Sequence, residues 1–329
     1  MSGGRQKSFQ VTGDVQPALR RRWLGWTHHT LLSRLKHVVR AGARSSGSRS
    51  CWRDDVLLGV DVGRRSREQE ELRGSLLETD TESWAQGGDL ATSGLRLLGG
   101  CDVSYLAAKP DVACATLAVL SFPELEVVYE DSRLVDLSAP YVPGFLAARE
   151  SRFILDAVLR LRETRPELEP QVMMVDGNGI LHYKGFGLAC HLGVLAALPC
   201  VGVAKDLLQV DGLQKDGAHR HKIKALNGKG DTFPLVGNSG KILGMAVRSS
   251  SLCSNPVYVS VGHRVSLDTA VRLTLSCSKF RVPEPIRQAD IRSREFLREK
   301  FPIPQPRLPR GSNGEQEEEE QGEEEEKNS

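Results

Sequence analysis

Three carboxylates lie where they could support a metal-dependent reaction. Asp102 lies within an apolar segment that is predicted to form a strand, Asp176 ends a second apolar strand, and Glu150 lies on a long predicted helix between them. A carboxylate in a buried strand is costly unless it is paired or binds a metal ion. Three converging carboxylates repel one another, and a divalent cation relieves that repulsion. Oxygen ligands alone favour Mg²⁺ or Mn²⁺ over zinc.

The three carboxylates can meet only if the two strands and the helix that carry them are suitably arranged. If the two strands are neighbours, Asp102 and Asp176 project side by side, and a helix packed across that face delivers Glu150. The same residues also have an ordinary interpretation, in which the two aspartates cap turns and Glu150 pairs with Arg149 or Arg152 on the surface. Spacing alone does not choose between the two.

Other motifs favour no competing chemistry. The glycine-rich loop after Asp176 lacks the dinucleotide fingerprint, because His182 occupies the third position after Gly179. Residues 237–241 are too short for a phosphate-binding loop and are not followed by a hydroxyl residue. Cys190 and His191 are adjacent on a predicted helix, where neighbours face different directions, so core packing is favoured over a nucleophile and base.

The apolar pattern predicts a mixed α/β sheet with flanking helices. Turn formers separate three apolar segments, which predicts an antiparallel meander over residues 97–105, 112–120 and 125–137. A helix over residues 143–165 and a strand over 172–175 follow. The other predicted helices cover residues 67–84, 188–197 and 267–277, and the other strands cover 200–204, 242–248 and 257–261. We expect the first three strands to be antiparallel and the later ones parallel.

The charge distribution predicts a folded region between two oppositely charged ends. Residues 1–65 carry 13 Lys and Arg against 4 Asp and Glu, whereas residues 311–329 carry 9 Glu and one Lys. We expect a basic, disordered extension over residues 1–65, a catalytic domain over 66–305 and an acidic, disordered tail over 306–329. The basic start also matches the composition of a mitochondrial transit peptide, which stays open as an alternative.

Cysteine usage and hydropathy exclude two further classes. No apolar stretch reaches the roughly 18 residues that a membrane span needs, so transmembrane anchoring is excluded. The 7 cysteines are odd in number and never spaced as C-x-x-C, which argues against a disulfide framework and against a zinc site. Reduced thiols predict a protein of the cytoplasm and nucleus.

Several segments resemble, in order, the motifs of the endonuclease V family of inosine-directed nucleases. Residues 99–105 (GGCDVSY) and 175–179 (VDGNG) resemble its two metal-bearing strands, and residues 140–143 (PYVP) resemble its wedge. Residues 181–182, 185–191, 202–205 and 261–264 also match in order. The resemblance covers about residues 67–300, and only residues that are not ligands, such as Cys101 and Tyr105, depart from the pattern.

The resemblance implies a ribonuclease H-like fold, a divalent-metal site and hydrolysis of the second phosphodiester 3′ to inosine. It agrees with the carboxylate pattern in predicting Asp102, Glu150 and Asp176 as metal ligands, direct or through water. The predicted cofactor is Mg²⁺, with Mn²⁺ as a possible substitute. The cation would lower the pKa of a bound water and stabilise charge on the phosphate.

Three further residues are predicted to take part in catalysis. His182 and His263 would orient water or protonate the leaving group, against the alternative of capping or core histidines. Lys205 follows a predicted buried strand and would contact phosphate, against the alternative of a surface lysine.

Inosine recognition is predicted to involve the glycine-rich loop and the wedge. Few side chains crowd the loop, so its backbone groups could approach an extruded base closely. Tyr141 between two prolines is suited to fill the space that the base leaves, although it could instead be an ordinary packing aromatic. The predicted substrate-binding residues are Pro140, Tyr141, Val142, Pro143, Gly177, Asn178, Gly179 and Gly185.

The predicted substrate is inosine-containing RNA, single- or double-stranded. Similarity to animal members of the family, strongest over residues 120–130, favours RNA. Deoxyinosine in DNA is the alternative, because the two substrates differ only at the 2′-hydroxyl. A non-catalytic nucleic-acid-binding protein is a third possibility. We expect a monomer that has no association with membranes.

Overall fold

The computed structural model describes residues 62–106, 109–137 and 146–302, and one eight-stranded sheet organises them. The strands are β1 (Leu97–Leu106), β2 (Lys109–Ser121), β3 (Val127–Asp136), β4 (Val172–Asp176), β5 (Cys200–Ala204), β6 (Thr232–Val236), β7 (Ile242–Val247) and β8 (Val257–His263). Their order across the sheet is β3-β2-β1-β4-β5-β8-β7-β6. The strand β4 pairs parallel with β1 and with β5, and every other neighbouring pair is antiparallel.

Helices cover both faces of this sheet. They are α1 (Val62–Arg73), α2 (Leu146–Thr164), α3 (Leu188–Ala196), α4 (Gly217–Lys224), α5 (Leu267–Ser276) and α6 (Glu284–Lys300). Within the described part of the chain, no helix is long and apolar enough to cross a membrane.

Strand β4 shows how the faces are divided, because its side chains alternate between two apolar cores. Met173 and Val175 pack with α2 and α3, whereas Val172 and Met174 pack with α5 and α6. All four side chains are fully buried. A strand buried on both faces is a continuous apolar run, which explains why the sequence between residues 172 and 175 has no polar residue.

The predicted mixed sheet and its antiparallel meander are confirmed, and two local predictions are wrong. Strands β6 to β8 are antiparallel rather than parallel, because a β6–β7 hairpin precedes β8 and reverses the chain without a crossover helix. The predicted helix over 67–84 is replaced by α1, which ends at Arg73. Gly74 follows that end, and the chain then turns to bind the sheet edge through the Leu77 amide.

Three elements were not predicted, and most of the charged ends fall outside the described residues. Pro234 interrupts the pattern of β6, which is tolerated because β6 is an edge strand. The helices α4 and α6 are rich in charged residues, which outnumber the few apolar residues that have helical spacing. The predicted disordered extension over residues 1–65 is wrong at residues 62–65, which form the start of α1. The rest of that extension and the predicted tail over 306–329 lie outside the part that the structure describes.

Gly100 permits the close contact between β1 and α6. A Cβ atom there would lie 1.9 Å from the carbonyl oxygen of Pro285 on α6, a backbone atom that cannot move aside cheaply. We predict that Gly100→Ala destabilises the protein by about 3 kcal/mol, measured by urea unfolding. Gly88→Ala is the matched control, because nothing lies within 4 Å of a Cβ atom there. Equal stability of the two variants would contradict the packing assignment.

Candidate active site

Asp102 and Asp176 lie next to each other where the pairing of β1 with β4 ends. In the parallel register of β1 and β4, Cys101 is opposite Val175, so the next residue on each strand is an aspartate. Both share the alternation of residues that face α6, since Gly100 contacts that helix and Met174 packs in the α5–α6 core. The predicted juxtaposition of these two carboxylates is therefore present.

Two hydroxyl groups hold Asp102 in place. The Ser104 hydroxyl donates to Asp102 Oδ2 at 2.7 Å, and the Ser293 hydroxyl of α6 donates to the same oxygen at 2.8 Å. Burial raises the pKa of Asp102, these two hydrogen bonds lower it, and the charges of Asp290 and Asp176 raise it further, so that the net shift is upward. Asp102 is thus oriented by neutral donors, and it forms no ion pair with any described residue.

Asp290 is a fourth carboxylate that the sequence analysis missed. It lies on α6, one turn before Ser293, and it forms a 2.7 Å ion pair with Arg294. Its charge acts on both Asp102 and Lys205, which places it beside the pair of aspartates. The signal available in the sequence was the helical spacing of Ile286, Ala289, Ser293 and Leu297, which are buried on one side of α6. That buried side determines where Asp290 lies on the helix.

Glu150 lies on α2 and reaches β1 from the other face of the sheet. Its carboxylate accepts a hydrogen bond from the Tyr105 hydroxyl, and it is 6% exposed. Tyr105 has the same strand parity as Cys101, which packs with α2, whereas Asp102 faces α6. The expectation that the helix delivers Glu150 across the face of the two aspartates is wrong, because α2 packs on the opposite face.

The three predicted ligands nevertheless surround one stretch of β1. Burial is the first cause that raises the pKa of the Cys101 thiol well above its usual value, and the nearby Cys200 is the second. The charges of the three predicted ligands each add to the rise. All three carboxylates are therefore close enough to act on the sulfur of Cys101.

Lys205 forms an ion pair with Asp176. Its Nζ donates to Asp176 Oδ2 at 2.6 Å, and its side chain stays 40% exposed at the rim of the site. Burial acts to lower the pKa of Lys205, but the hydrogen bond and the charges of the surrounding aspartates outweigh it, and the pKa is raised. Arg281 donates to the backbone carbonyl of Lys205 and anchors the end of β5. The site thus contains a fixed, protonated amine beside two carboxylates.

The structure does not bring His263 to this site. His263 pairs with Cys200 at the start of β5, whereas Asp176 pairs with Val203, three residues or about 10 Å further along that strand. Burial and then the charge of Arg264 lower the pKa of His263 to about 4, and its Nδ1 accepts the Leu77 amide at 3.3 Å. A neutral histidine that anchors the segment after α1 accounts for this residue.

His182 lies on the loop between β4 and α3 and is partly buried. Burial and the charge of Lys184 lower its pKa, and its Nδ1 accepts the Lys184 amide at 3.4 Å. No hydrogen bond joins it to a carboxylate of the site among the described residues. Its catalytic role stays a prediction.

The glycine-rich loop is packed against the sheet, and several of its backbone groups are already bonded. Gly177 N–H donates to Val203, and Gly179 N–H donates to the Ser260 hydroxyl at 2.8 Å. A Cβ atom on Gly179 would lie 1.9 Å from the Val261 carbonyl oxygen, so glycine is required for packing there. Backbone groups of Gly177 and Gly179 that are bonded internally are not free to contact a base.

Asn178 and Gly185 are held less completely than the other predicted residues of this loop. The Asn178 Oδ1 atom is buried and has no hydrogen-bond partner in the described part of the chain. Gly185 has a φ of 60°, which favours glycine, and a Cβ there would approach the Arg73 guanidinium. The predicted wedge residues Pro140, Tyr141, Val142 and Pro143 lie outside the described residues.

The side chains of the site fit a hard divalent cation. Asp102 and Asp176 use only their Oδ2 atoms, so each keeps an Oδ1 atom without a hydrogen bond to any described residue. Oxygen donors of this kind are the ligands that Mg²⁺ and Mn²⁺ prefer. Within the described residues, no three His, Cys, Asp or Glu side chains are already gathered closely enough to enclose a metal ion. The donor set fits, and its closure around a cation requires the side chains to turn.

Comparison with known proteins agrees with this site. The family model for endonuclease V matches residues 78–291. Human endonuclease V is 57% identical over 250 residues, which is 76% of this chain and 88% of the human protein. The mouse protein is 59% identical over 231 residues, which is 70% of this chain and 68% of the mouse protein.

Solved structures give the same result for the fold. The catalytic domain of human endonuclease V has a TM-score of 0.72 and 58% identity, covering 74% of this chain and 98% of that one. Ciona intestinalis endonuclease V, in complex with DNA containing an inosine followed by a ribo-adenosine, has a TM-score of 0.66 and 34% identity, covering 73% of this chain. It is covered over 98% of its own length. The chain therefore belongs to the endonuclease V family of inosine-specific, phosphodiester-hydrolysing endonucleases, which have a ribonuclease H-like fold.

Proposed function

We propose that this protein cleaves inosine-containing RNA at the second phosphodiester 3′ to inosine, with Mg²⁺ as cofactor. The observation that carries the proposal is the pair Asp102 and Asp176, side by side with free Oδ1 atoms and next to the ammonium of Lys205. Carboxylates suit a divalent cation and the ammonium suits a phosphate oxygen, so the site has the two parts that phosphodiester hydrolysis needs.

Asp102 and Asp176 would hold the cation, with Glu150 completing the set from the other face of β1. Members of the family are generally dependent on divalent metals. Such a cation supplies a water of lowered pKa and stabilises the charge of the phosphate. The two serine hydroxyls hold Asp102 Oδ2, which leaves Oδ1 available for a ligand.

Lys205 would bind the phosphate that is attacked. Its ammonium is held by Asp176 at 2.6 Å and its backbone by Arg281, so little reorganisation is needed when negative charge develops. The raised pKa keeps the amine protonated at neutral pH.

The ligand of one relative supports the proposed use of RNA. The Ciona intestinalis protein is bound to a DNA in which a ribo-adenosine follows the inosine, and a ligand of that kind supports acceptance of a 2′-hydroxyl next to the inosine. The rest of that ligand is DNA, which keeps repair of deoxyinosine as the second candidate function.

We predict that Asp102→Asn and Asp176→Asn each lower cleavage by at least about 10³-fold, because the loss of a metal ligand removes several kcal/mol of transition-state stabilisation. The measurement is single-turnover cleavage of end-labelled inosine RNA with Mg²⁺, combined with calorimetric titration of Mn²⁺. Asp268→Asn is the control, since that side chain is 84% exposed on α5. Full activity of either site variant would refute the metal assignment.

A second prediction concerns the sugar. With one inosine or deoxyinosine at the same position of matched single strands, we expect RNA to be cleaved at least about tenfold faster than DNA under single-turnover conditions. The product should end one nucleotide beyond inosine, with a 3′-hydroxyl, as read on a sequencing gel. Faster cleavage of DNA would assign the protein to deoxyinosine repair instead, and cleavage of neither would remove the proposed activity.

Lys205→Met separates the phosphate role from the metal role. We predict cleavage at saturating Mg²⁺ to fall at least about tenfold, because one fixed donor to the phosphate is lost. Mn²⁺ affinity should rise, because Asp176 loses a competing cation. Lys205→Arg, which keeps the charge, should recover part of the rate. Weaker Mn²⁺ binding in Lys205→Met would show that the lysine supports the metal site instead.

A further inference from the structure

The helix α4 lies beside the edge of the sheet that carries the candidate site. Tyr258 on β8 is opposite Ala204, the residue before Lys205, and its hydroxyl lies 2.9 Å from His219 Nε2 on α4. The start of the helix is fixed to the same edge by a 3.0 Å ion pair between Lys215 and Asp206. Since neighbouring strands are about 4.8 Å apart, the strand of Tyr258 is about 10 Å from that of Asp176, and by strand alternation the two side chains are on opposite faces of the sheet.

The exposed side of α4 is basic and lacks carboxylate partners. Residues 217–230 contain no Asp or Glu but carry Arg220, Lys222, Lys224 and Lys229. His219 is the buried residue of the helix, and it contacts Tyr258 and Phe233. Arg220 and Lys224 point away from that contact, are exposed, and form no ion pair with any described residue.

This arrangement differs from that of several other arginines on the described surface. Arginines elsewhere repeatedly face a carboxylate, as in Arg133–Asp131, Arg165–Glu167 and Arg272–Asp268. Arg220 and Lys224 are four residues apart on one helix face, and two like charges at this spacing destabilise a helix. Basic residues in the last turn do interact favourably with the helix dipole, and this explains Lys224 but not Arg220 in the first half of the helix.

We propose that α4 is a phosphate-binding surface that holds the nucleic-acid strand next to the site of cleavage, an inference that rests on the proposed nuclease function. Its occupant is the sugar–phosphate backbone of the substrate, which offers a row of anions to a row of unpaired cations. Contacts of this kind carry no base information, so they act on affinity and on register rather than on the recognition of inosine.

The test measures binding separately from cleavage. Fluorescence anisotropy of a labelled 20-nucleotide single-stranded RNA, with and without one inosine, is recorded at several salt concentrations without added metal. We compare the full-length protein with Arg220→Gln/Lys224→Gln. The matched control is Arg96→Gln/Lys241→Gln, which also removes two positive charges. These two residues directly precede β1 and β7, at the ends of the strands away from the candidate site.

The α4 variant should weaken binding about threefold to tenfold for both RNAs. The slope of log affinity against log salt concentration should fall by about 1.4, which corresponds to two phosphate contacts on a single strand. Its single-turnover rate at saturating enzyme should equal that of the unchanged protein. The control variant should bind as tightly as the unchanged protein.

Other outcomes would overturn the proposal. If the α4 variant and the control variant weaken RNA binding and lower the salt slope equally, the effect comes from net charge and not from α4. If the α4 variant binds as tightly as the unchanged protein, the proposal is refuted. If the unchanged protein does not bind RNA at all, the proposed function itself is removed. A third measurement uses a protein in which the 9 Glu of residues 311–329 are replaced by Gln. If RNA binding then tightens only while α4 is intact, the acidic tail rather than the substrate is the partner of this surface.

Discussion

Two carboxylates of like charge at the end of a buried pair of parallel strands are the constraint on which the other features of the site depend. The register of β1 and β4 places Asp102 and Asp176 side by side, and neither residue can move without shifting a strand that is buried on both faces. Ionised carboxylates in such a place are costly unless they are compensated. The surrounding residues compensate them in two different ways. Asp102 receives two neutral hydroxyls, whereas Asp176 receives the ammonium of Lys205.

The helix α6 links this local requirement to the whole fold. It approaches β1 so closely that only glycine fits at position 100, and this contact brings Ser293 within hydrogen-bond distance of Asp102. The same turn of the helix brings Asp290 and its negative charge to the site. A helix from the end of the described chain thereby contributes to a site that is otherwise built from β1, β4 and β5. Stability and site geometry are coupled here, because loosening α6 would also release the Asp102 carboxylate.

The charged residues around the site differ in sign with their position. Two aspartates lie where β1 and β4 stop pairing, and Lys205 lies at their rim. In the proposed function, the lysine and the basic residues of α4 would attract the polyanionic substrate, and the aspartates would hold the divalent cation that its scissile phosphate meets. His263, at the opposite end of the strands, is not among these charged residues. It is buried and neutral, and it fastens the segment after α1 to the sheet.

The sequence by itself predicted three of the carboxylates, the lysine beside them and the order of most of the main elements. These follow from short-range patterns, since apolar runs, turn formers and a charged residue inside a strand are all visible in a window of a few residues. Only the tertiary structure decided which face each side chain occupies. By strand alternation, the Asp102 side chain faces α6. Glu150 lies on the other face of the sheet, because α2 packs there.

The same limit explains the residues that sequence reasoning placed wrongly or missed. His263 and Lys205 both lie at strand ends, but β8 is antiparallel to β5. The histidine therefore lies beside the start of β5, whereas the lysine follows its end. Asp290 lies 114 residues after Asp176 in the chain and becomes its neighbour only through the docking of α6. Contacts between distant segments depend on strand direction and helix packing, which are set by the burial of the whole core and not by any local pattern.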